Sequence, residues 1–395
     1  MIDSKTKFDF IIGRNSFLYI SSAMLLIFLV EILLPNSFFF ILKESRTDTI
    51  VLFITYIIFN RKIRIDIEII VVILSFLAIN LTASIIFSHF DIIKILSEGL
   101  SFTLFFAVLT SIKIKEDEII KLLKIINIIT LVLILIKIFS LFGIAPENIY
   151  LFLNRNSWSQ TLMLPTFISF FLFVYTKNKL YLVCTGIYLY NTIFTFSRTA
   201  IISSIAFFIV YIFLTGKKKL KRNIGILIFL TIFISILMSE PVTEYIQDNY
   251  FRSGQYLLTG RDILWKIALE AFKTNPIFGV GRNSAIDLIR YSGTGMHNRE
   301  YHSYYIEVLA SGGLFSFLFF IYFISKSMKA IMLIYKNNIE LGAILMGSLI
   351  STLIYMLAET FYPYAFSYNN AISGLFLFSI PIAYKNKNIT LRRLL

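Results

Sequence analysis

The sequence contains little charge and almost no cysteine. Only 15% of its 395 residues are charged, and Cys184 is the one cysteine. A soluble domain carries about a quarter charged residues, so this composition excludes an ordinary soluble enzyme. One cysteine within an apolar run excludes both a disulfide framework and a thiolate metal site.

Several motifs that carry chemistry in other enzymes are also missing. The sequence has no phosphate-binding glycine loop of the NTPase type, so nothing in it indicates ATP as an energy source. It has no nucleophile elbow with triad partners, and its histidines and carboxylates do not cluster at metal-ligand spacing. We therefore expect no metal ion and no cofactor.

Long hydrophobic runs dominate instead. Hydrophobic residues make up 57% of the chain. Runs of about 20 apolar residues are long enough to cross a bilayer as helices, and the first of them is expected to remain as a span and not as a cleaved signal. The sequence predicts an all-α polytopic membrane protein, with one transmembrane domain over residues 1–395. About twelve spans are expected, near 17–38, 49–60, 67–88, 95–112, 119–142, 157–176, 180–196, 199–214, 223–239, 302–325, 339–361 and 370–384.

Lysine and arginine are distributed unevenly between the two faces that twelve spans define. The net charge is +14, and lysine-rich clusters such as 217–222 and the tail 385–393 all fall on one face. Positive charge marks the cytoplasmic side of membrane proteins, so we expect both termini there. Because the clusters lie between apolar runs, they indicate topology and not nucleic-acid binding.

The other face carries mostly arginine. A guanidinium group binds phosphate through two parallel hydrogen bonds, a geometry that a topology signal does not need. The arginines of this face are therefore candidates for binding an anion. They are Arg46, Arg155, Arg198, Arg252, Arg261, Arg282, Arg290 and Arg299.

A long polar loop, residues 240–301, lies on this arginine-rich face. Apolar residues at helical spacing predict a short helix over 263–272 that lies along the membrane surface. Asn275-Pro276 should end this helix, and Gly279 and Gly281 should form the turn that follows.

Three arginines stand at or near predicted helix starts. Arg261 precedes the surface helix, where its charge and the free backbone N–H groups can face one anion. Arg198 lies between two apolar runs with almost no loop. Burying a guanidinium there costs free energy unless the group is paired with an anion or has a function. Arg155 precedes a span among ordinary helix-start residues. Each has a structural alternative, as an arginine that snorkels or contacts lipid headgroups.

Two of the three histidines lie at the end of the polar loop. His302 stands at the start of the tenth predicted span, where a side chain with a reference pKa near 6.5 can accept a proton at neutral pH. A hydrogen-bonded interfacial histidine is the alternative. His297 has the same two interpretations, whereas His89 is isolated on an outer loop.

Four segments together resemble the signature of the O-antigen polymerase and O-antigen ligase superfamily. Three lie in the polar loop and after it: Gly-Arg-Asp-Ile-Leu-Trp at 260–265, Pro-Ile-Phe-Gly-Val-Gly at 276–281, and His-Ser-Tyr-Tyr-Ile-Glu-Val-Leu-Ala-Ser-Gly-Gly-Leu at 302–314. The fourth is the Ser-Arg-Thr-Ala turn at 197–200. The resemblance implies an all-helical GT-C-like fold, in which a long periplasmic loop with short amphipathic helices holds the signature.

The resemblance also implies a reaction. Such a protein is a glycosyltransferase that takes a glycan from undecaprenyl diphosphate, without a metal, at the periplasmic face of the bacterial inner membrane. It assigns Arg198 and Arg261 to the diphosphate, and His302 to the acceptor as general base or orienting residue. Further substrate contacts are expected from Arg155, Arg282, His297, Asn298, Arg299 and Tyr305.

The histidine assignment depends on the alignment register. The family's usual His-Asn pair is His302-Ser303 here, while a His297-Asn298 pair lies just upstream. The segment Leu-Ala-Ser-Gly-Gly-Leu follows His302 at the family spacing, so the alignment favours His302. The other register keeps His297 as the alternative.

Three functions remain open at the level of sequence. The leading hypothesis is a polymerase that joins lipid-linked repeat units, and the nearest alternative is a ligase that transfers the glycan to lipid A core. A flippase for lipid-linked oligosaccharide is the alternative from another class, but it should carry charge deep in its spans and on both sides. The expected partners are the undecaprenyl-diphosphate-linked oligosaccharide and membrane lipid, with a chain-length regulator as a candidate partner protein.

Overall fold

A computed structural model describes residues 114–142, 155–216, 261–281, 285, 287–289, 301–360, 374–385 and 389–390, with six helical positions between 71 and 86. These six positions fall within the predicted span 67–88. The predicted spans 17–38, 49–60, 95–112 and 223–239 lie outside the described residues.

The described residues are helical apart from one two-residue parallel pairing, Ile114–Lys115 (β1) with Ile389–Thr390 (β2). The helices are α1 Glu116–Leu141, α2 Arg155–Thr176, α3 Lys179–Ile193, α4 Arg198–Thr215, α5 Arg261–Thr274, α6 Tyr304–Asn337, α7 Ile339–Tyr355 and, after a π-helix Gly374–Ser379, α8 Ile380–Lys385. Four of these described helices, α1, α2, α4 and α6, are long and apolar enough to cross a membrane. The predicted all-α membrane protein is confirmed in this part of the chain.

Polar residues mark where several helices begin and end. Asn178 caps α3 by accepting a hydrogen bond from the backbone N–H of Leu180, and Asn338 caps α7 by accepting one from Leu341. Such caps satisfy donors that the first turn of a helix leaves free. The helix α4 ends at Gly216, whose φ of 65° suits glycine.

The tenth predicted span, 302–325, has different bounds in the structure. Helix α6 runs from Tyr304 to Asn337 and includes lysines that were expected in a loop, such as Lys326 and Lys329. Lysine is a good helix former, so the helix continues past the apolar run. It starts two residues late because His302 has a φ of 52°, which is not helical.

Helices α4 and α7 pack closely in opposite directions. The Ser351 hydroxyl donates to the Ser203 carbonyl at 2.6 Å, and Gly347 lies against the backbone of Phe207. The Phe207 ring stacks on Phe167 of α2, with ring centroids 4.0 Å apart. Small residues at this contact let the two backbones approach, which is how helices pack in a membrane.

Helix α5 packs its buried residues in a separate small apolar cluster. It buries Leu264, Ala268 and Ala271, which recur at helical spacing, against Val280 and Ala310. Its observed bounds, Arg261–Thr274, confirm the predicted helix and extend it by about one turn in total. Both glycines of the predicted turn have positive φ, 68° at Gly279 and 82° at Gly281.

Helix α6 is broken at Gly313, whose φ of 63° and ψ of −162° are not helical. The segment 276–281 fits against this break. Val280 and Gly281 donate backbone N–H groups to the carbonyls of Ala310 and Ser311, at 3.0 and 2.9 Å. In return, Leu314 donates to the carbonyl of Pro276 at 2.8 Å, and Phe315 donates to that of Ile277 at 3.3 Å. A break in an apolar helix is tolerated when its freed backbone groups are paired inside the protein.

The close approach of these segments predicts a large effect of adding one methyl group. A Cβ on Gly279 would lie 2.5 Å from the amide nitrogen of Gly312, and the positive φ adds strain. Gly279→Ala should destabilise the protein by roughly 2–5 kcal/mol, from overpacking and left-handed backbone together. Thermal unfolding in detergent measures this change. Gly186→Ala is the matched control, because nothing lies within 4 Å of a Cβ there. Equal unfolding temperatures for the two variants would contradict the prediction.

Candidate functional site

Several helix ends meet where α7 ends. The backbone N–H of Tyr304, the first residue of α6, donates to the carbonyl of Met356 at 3.0 Å. The Tyr355 hydroxyl donates to the carbonyl of Asn156, near the start of α2, at 3.2 Å. The start of α6 and the start of α2 are therefore both joined to the C-terminal end of α7. We call this region the α7 terminus, residues 353–360.

Glu359 joins the two strongest sequence candidates at this terminus. One guanidinium nitrogen of Arg261, Nη2, donates to Glu359 Oε1 at 2.5 Å. The other carboxylate oxygen, Oε2, lies 3.3 Å from His302 Nδ1. Arg261 and His302 are 98 and 57 residues away from Glu359 in sequence, respectively. The carboxylate is thus a bridge between the expected phosphate contact and the expected base.

The Arg261–Glu359 pair is largely removed from solvent. The side chain of Glu359 is 7% exposed and that of Arg261 is 19% exposed, whereas His302 is more open at 28%. A buried carboxylate keeps its charge only when a cation or donors compensate it. Arg261 supplies that compensation, and the imidazole of His302 is the most exposed of the three side chains.

Sequence reasoning missed Glu359. It lies near the end of the predicted span 339–361, as a carboxylate at the edge of an apolar run. Ionisable residues in such runs mark functional sites or buried pairs, and this signal could have found it. Its two partners could not have been named, because they come from distant segments.

Arg198 lies at the same end of the bundle. The register that pairs Ser203 with Ser351 continues five residues along each helix and brings Arg198 level with Met356. The residue is exposed and is the first of α4. A four-residue turn, Phe194 to Ser197, separates it from α3, as the short loop in the sequence predicts.

Two helices that reach this region begin with an arginine whose side chain the structure describes, namely Arg198 in α4 and Arg261 in α5. The N-terminus of a helix carries a partial positive charge and free N–H groups. Arg198, which is exposed, adds a positive charge at the start of α4, whereas the charge of Arg261 at the start of α5 is compensated by Glu359. Helix N-termini are common binding sites for anions in proteins.

The backbone before α6 is fixed by Tyr301. Trp265 donates its indole N–H to the Tyr301 carbonyl at 3.1 Å, and the Tyr301 hydroxyl donates to the Ala285 carbonyl at 2.5 Å. Burial, and secondarily the charge of Glu307, raises the pKa of Tyr301, so its hydroxyl stays a donor at neutral pH. This tether holds His302 in its left-handed conformation, which costs a non-glycine residue about 1–2 kcal/mol. Strain of this kind is typical of functional sites.

The remaining predicted substrate contacts divide into two groups. Tyr305 donates its hydroxyl to the Leu353 carbonyl at 2.9 Å, which joins α6 to α7. The others, Arg282, His297, Asn298 and Arg299, lie outside the described residues. His297 stays an alternative to His302.

Comparison with known proteins found a matching family model, which covers about a third of the chain. Residues 180–321 match the family model described as O-antigen ligase. This match supports the resemblance to the O-antigen polymerase and O-antigen ligase superfamily. The matched range includes Arg198, Arg261 and His302, while Arg155 and Glu359 lie outside it. No curated protein sequence matches the chain significantly.

The family match fits the structure. Members of this superfamily are membrane glycosyltransferase-like enzymes, ligases and polymerases. The matched range also contains the two segments 276–281 and 311–315, whose backbones are hydrogen-bonded to each other.

Proposed function

We propose that this protein is a polymerase that joins undecaprenyl-diphosphate-linked oligosaccharide repeat units at the outer face of the bacterial inner membrane. The observation that carries the proposal is the bridge through Glu359, which holds Arg261 and His302 at one helix terminus. One carboxylate thus contacts both a cation that can bind an anion and a side chain that can accept a proton. This combination suits the transfer of a group from phosphate to a hydroxyl.

The donor half of the reaction needs positive charge. When the anomeric carbon–oxygen bond breaks, its electron pair passes to an oxygen of the diphosphate. Preorganised donors that face this developing charge lower the barrier without rearranging. Arg261 and Arg198 supply guanidinium groups for this role, and the helix N-termini beside them add partial positive charge.

The acceptor half needs a base. The attacking sugar hydroxyl forms the new bond to the anomeric carbon and loses its proton, which passes to the imidazole of His302. A base within hydrogen-bond reach contributes about 10²–10⁴-fold to such a step. The ring of His302 lies at the α7 terminus, with Nδ1 3.3 Å from Oε2 of Glu359.

The polymerase proposal predicts a specific product pattern. Purified protein, given lipid-linked repeat units alone, should produce a ladder of longer glycans on undecaprenyl diphosphate, resolved by gel electrophoresis. Both donor and acceptor are then the same lipid-linked molecule, so no other component is needed. The matched control is the His302→Asn variant in the same detergent. Extension that occurs only after lipid A core is added would contradict the polymerase proposal.

The ligase is the second candidate, and one observation favours it. The matching family model is described as O-antigen ligase. A ligase uses the same donor and the same two residues, but its acceptor is lipid A core. The same assay separates the two, because a ligase yields one transfer to lipid A core and no ladder.

A further inference from the structure

Glu359 makes two contacts of different kind. Arg261 can only donate, so the oxygen that faces it, Oε1, must accept. The second oxygen, Oε2, faces His302 Nδ1 at 3.3 Å, and an ionised carboxylate is also acceptor-only. Nδ1 must therefore carry a proton for this contact to be favourable.

The tautomer decides which ring nitrogen can act. A neutral imidazole with a proton on Nδ1 has its lone pair on Nε2. Because Nδ1 faces the buried Glu359, Nε2 is the nitrogen that remains for the substrate. The contact is longer than an ideal hydrogen bond, and catalytic contacts of this kind tighten when substrate binds.

We propose that Glu359 is the positioning residue of this site. It holds His302 with the proton on Nδ1, so that Nε2 accepts the proton of the acceptor hydroxyl, and its charge stabilises the imidazolium that results. Through its other oxygen it fixes the guanidinium of Arg261, whose remaining N–H groups face the diphosphate. The catalytic part rests on the proposed transfer reaction, whereas the tautomer can be measured without any substrate.

Replacing the carboxylate by an amide gives a directional test. In Glu359→Gln, Arg261 still requires an acceptor, so the amide oxygen turns toward it and the amide NH₂ group faces His302. Nδ1 must then accept, and the proton moves to Nε2, where it blocks the base. In serine proteases the same kind of carboxylate-to-amide change lowers kcat by about 10⁴-fold through the wrong tautomer.

The first measurement is ¹⁵N NMR of protein labelled at histidine. Signals of His302 are assigned by their loss in the His302→Asn variant. The wild type should show a protonated Nδ1 and an unprotonated Nε2, and Glu359→Gln should show the reverse. An unprotonated Nδ1 in the wild type, or the same tautomer in both proteins, would overturn the proposal.

The second measurement is steady-state glycan extension. Glu359→Gln should lower kcat by about 10²–10⁴-fold with a much smaller change in the KM for the donor, because the base is lost and Arg261 remains. The matched control is Glu340→Gln at the other end of α7, whose carboxylate pairs with Lys177 at 3.8 Å. Glu340→Gln should change neither kcat nor the tautomer. If the wild type extends glycans and Glu359→Gln does so at the same rate, the positioning role of Glu359 is wrong. The proposed function is not contradicted by that result.

A conservative variant keeps the test decisive if Glu359→Gln does not fold. Glu359→Asp retains an acceptor-only carboxylate on a shorter side chain. It should keep the wild-type tautomer and recover part of the activity that the amide loses. A switched tautomer in Glu359→Asp would overturn the proposal. A wild type without extension activity but with the protonated Nδ1 would instead contradict the proposed function and leave the tautomer assignment standing.

Discussion

His302→Asn should lower the rate of glycan extension by about 10²–10⁴-fold, the usual contribution of a general base. Asparagine is the suitable replacement because the backbone of His302 has a φ of 52°, and asparagine tolerates this region better than alanine does. The variant thus loses the imidazole without adding backbone strain. The measurement is the initial rate of ladder formation at saturating donor, together with the unfolding temperature of the purified protein.

His297→Asn is the comparison that tests the histidine assignment. The two variants make the same chemical change five residues apart in sequence. We expect His297→Asn to keep most of the activity, because the structure joins His302, through Glu359, to Arg261. Near-normal extension by His302→Asn together with loss in His297→Asn would mean that the alternative alignment register is correct.

Arg261→Lys should also lose most of the activity, by about 10²–10³-fold in kcat, the loss seen when one preorganised donor is removed from a site of developing charge. A lysine keeps the positive charge next to Glu359 but cannot form two parallel hydrogen bonds to phosphate. The fold should therefore survive while the donor contact fails. Initial rates with lipid-linked donor and the unfolding temperature measure both effects.

Arg261→Ala should lower both the activity and the stability of the protein, so a second variant is needed to separate the two effects. It leaves Glu359 buried without a cation, and breaking a buried pair in this way costs about 3–5 kcal/mol of stability. The double variant Arg261→Ala/Glu359→Gln removes both charges, so it should regain stability without regaining activity. The control for charge alone is Lys266→Ala, an exposed cation on the same helix. If Lys266→Ala lost as much activity as Arg261→Lys, the specific role of Arg261 would be wrong.

In the part of the chain that the structure describes, the sequence predicts helices α1 to α5 well because the signal is local. An apolar run long enough to cross a bilayer folds as a helix wherever it occurs, since backbone groups in lipid must be paired within the segment. The helices from α1 to α4 and the surface helix α5 thus lie close to their predicted bounds. The start of α6 was less predictable, because the φ of His302 depends on how Tyr301 is held by Trp265 and Ala285.

The sequence by itself determined that this is an α-helical membrane protein, and it singled out Arg198, Arg261 and His302 by residue type and position. Only the tertiary structure decided that Glu359 joins two of them and that the segment 276–281 pairs with the break at Gly313. The physical reason is the range of the interactions. Hydrophobic periodicity and helix caps act within a few residues, whereas ion pairs and backbone pairing across helices depend on which distant segments pack together.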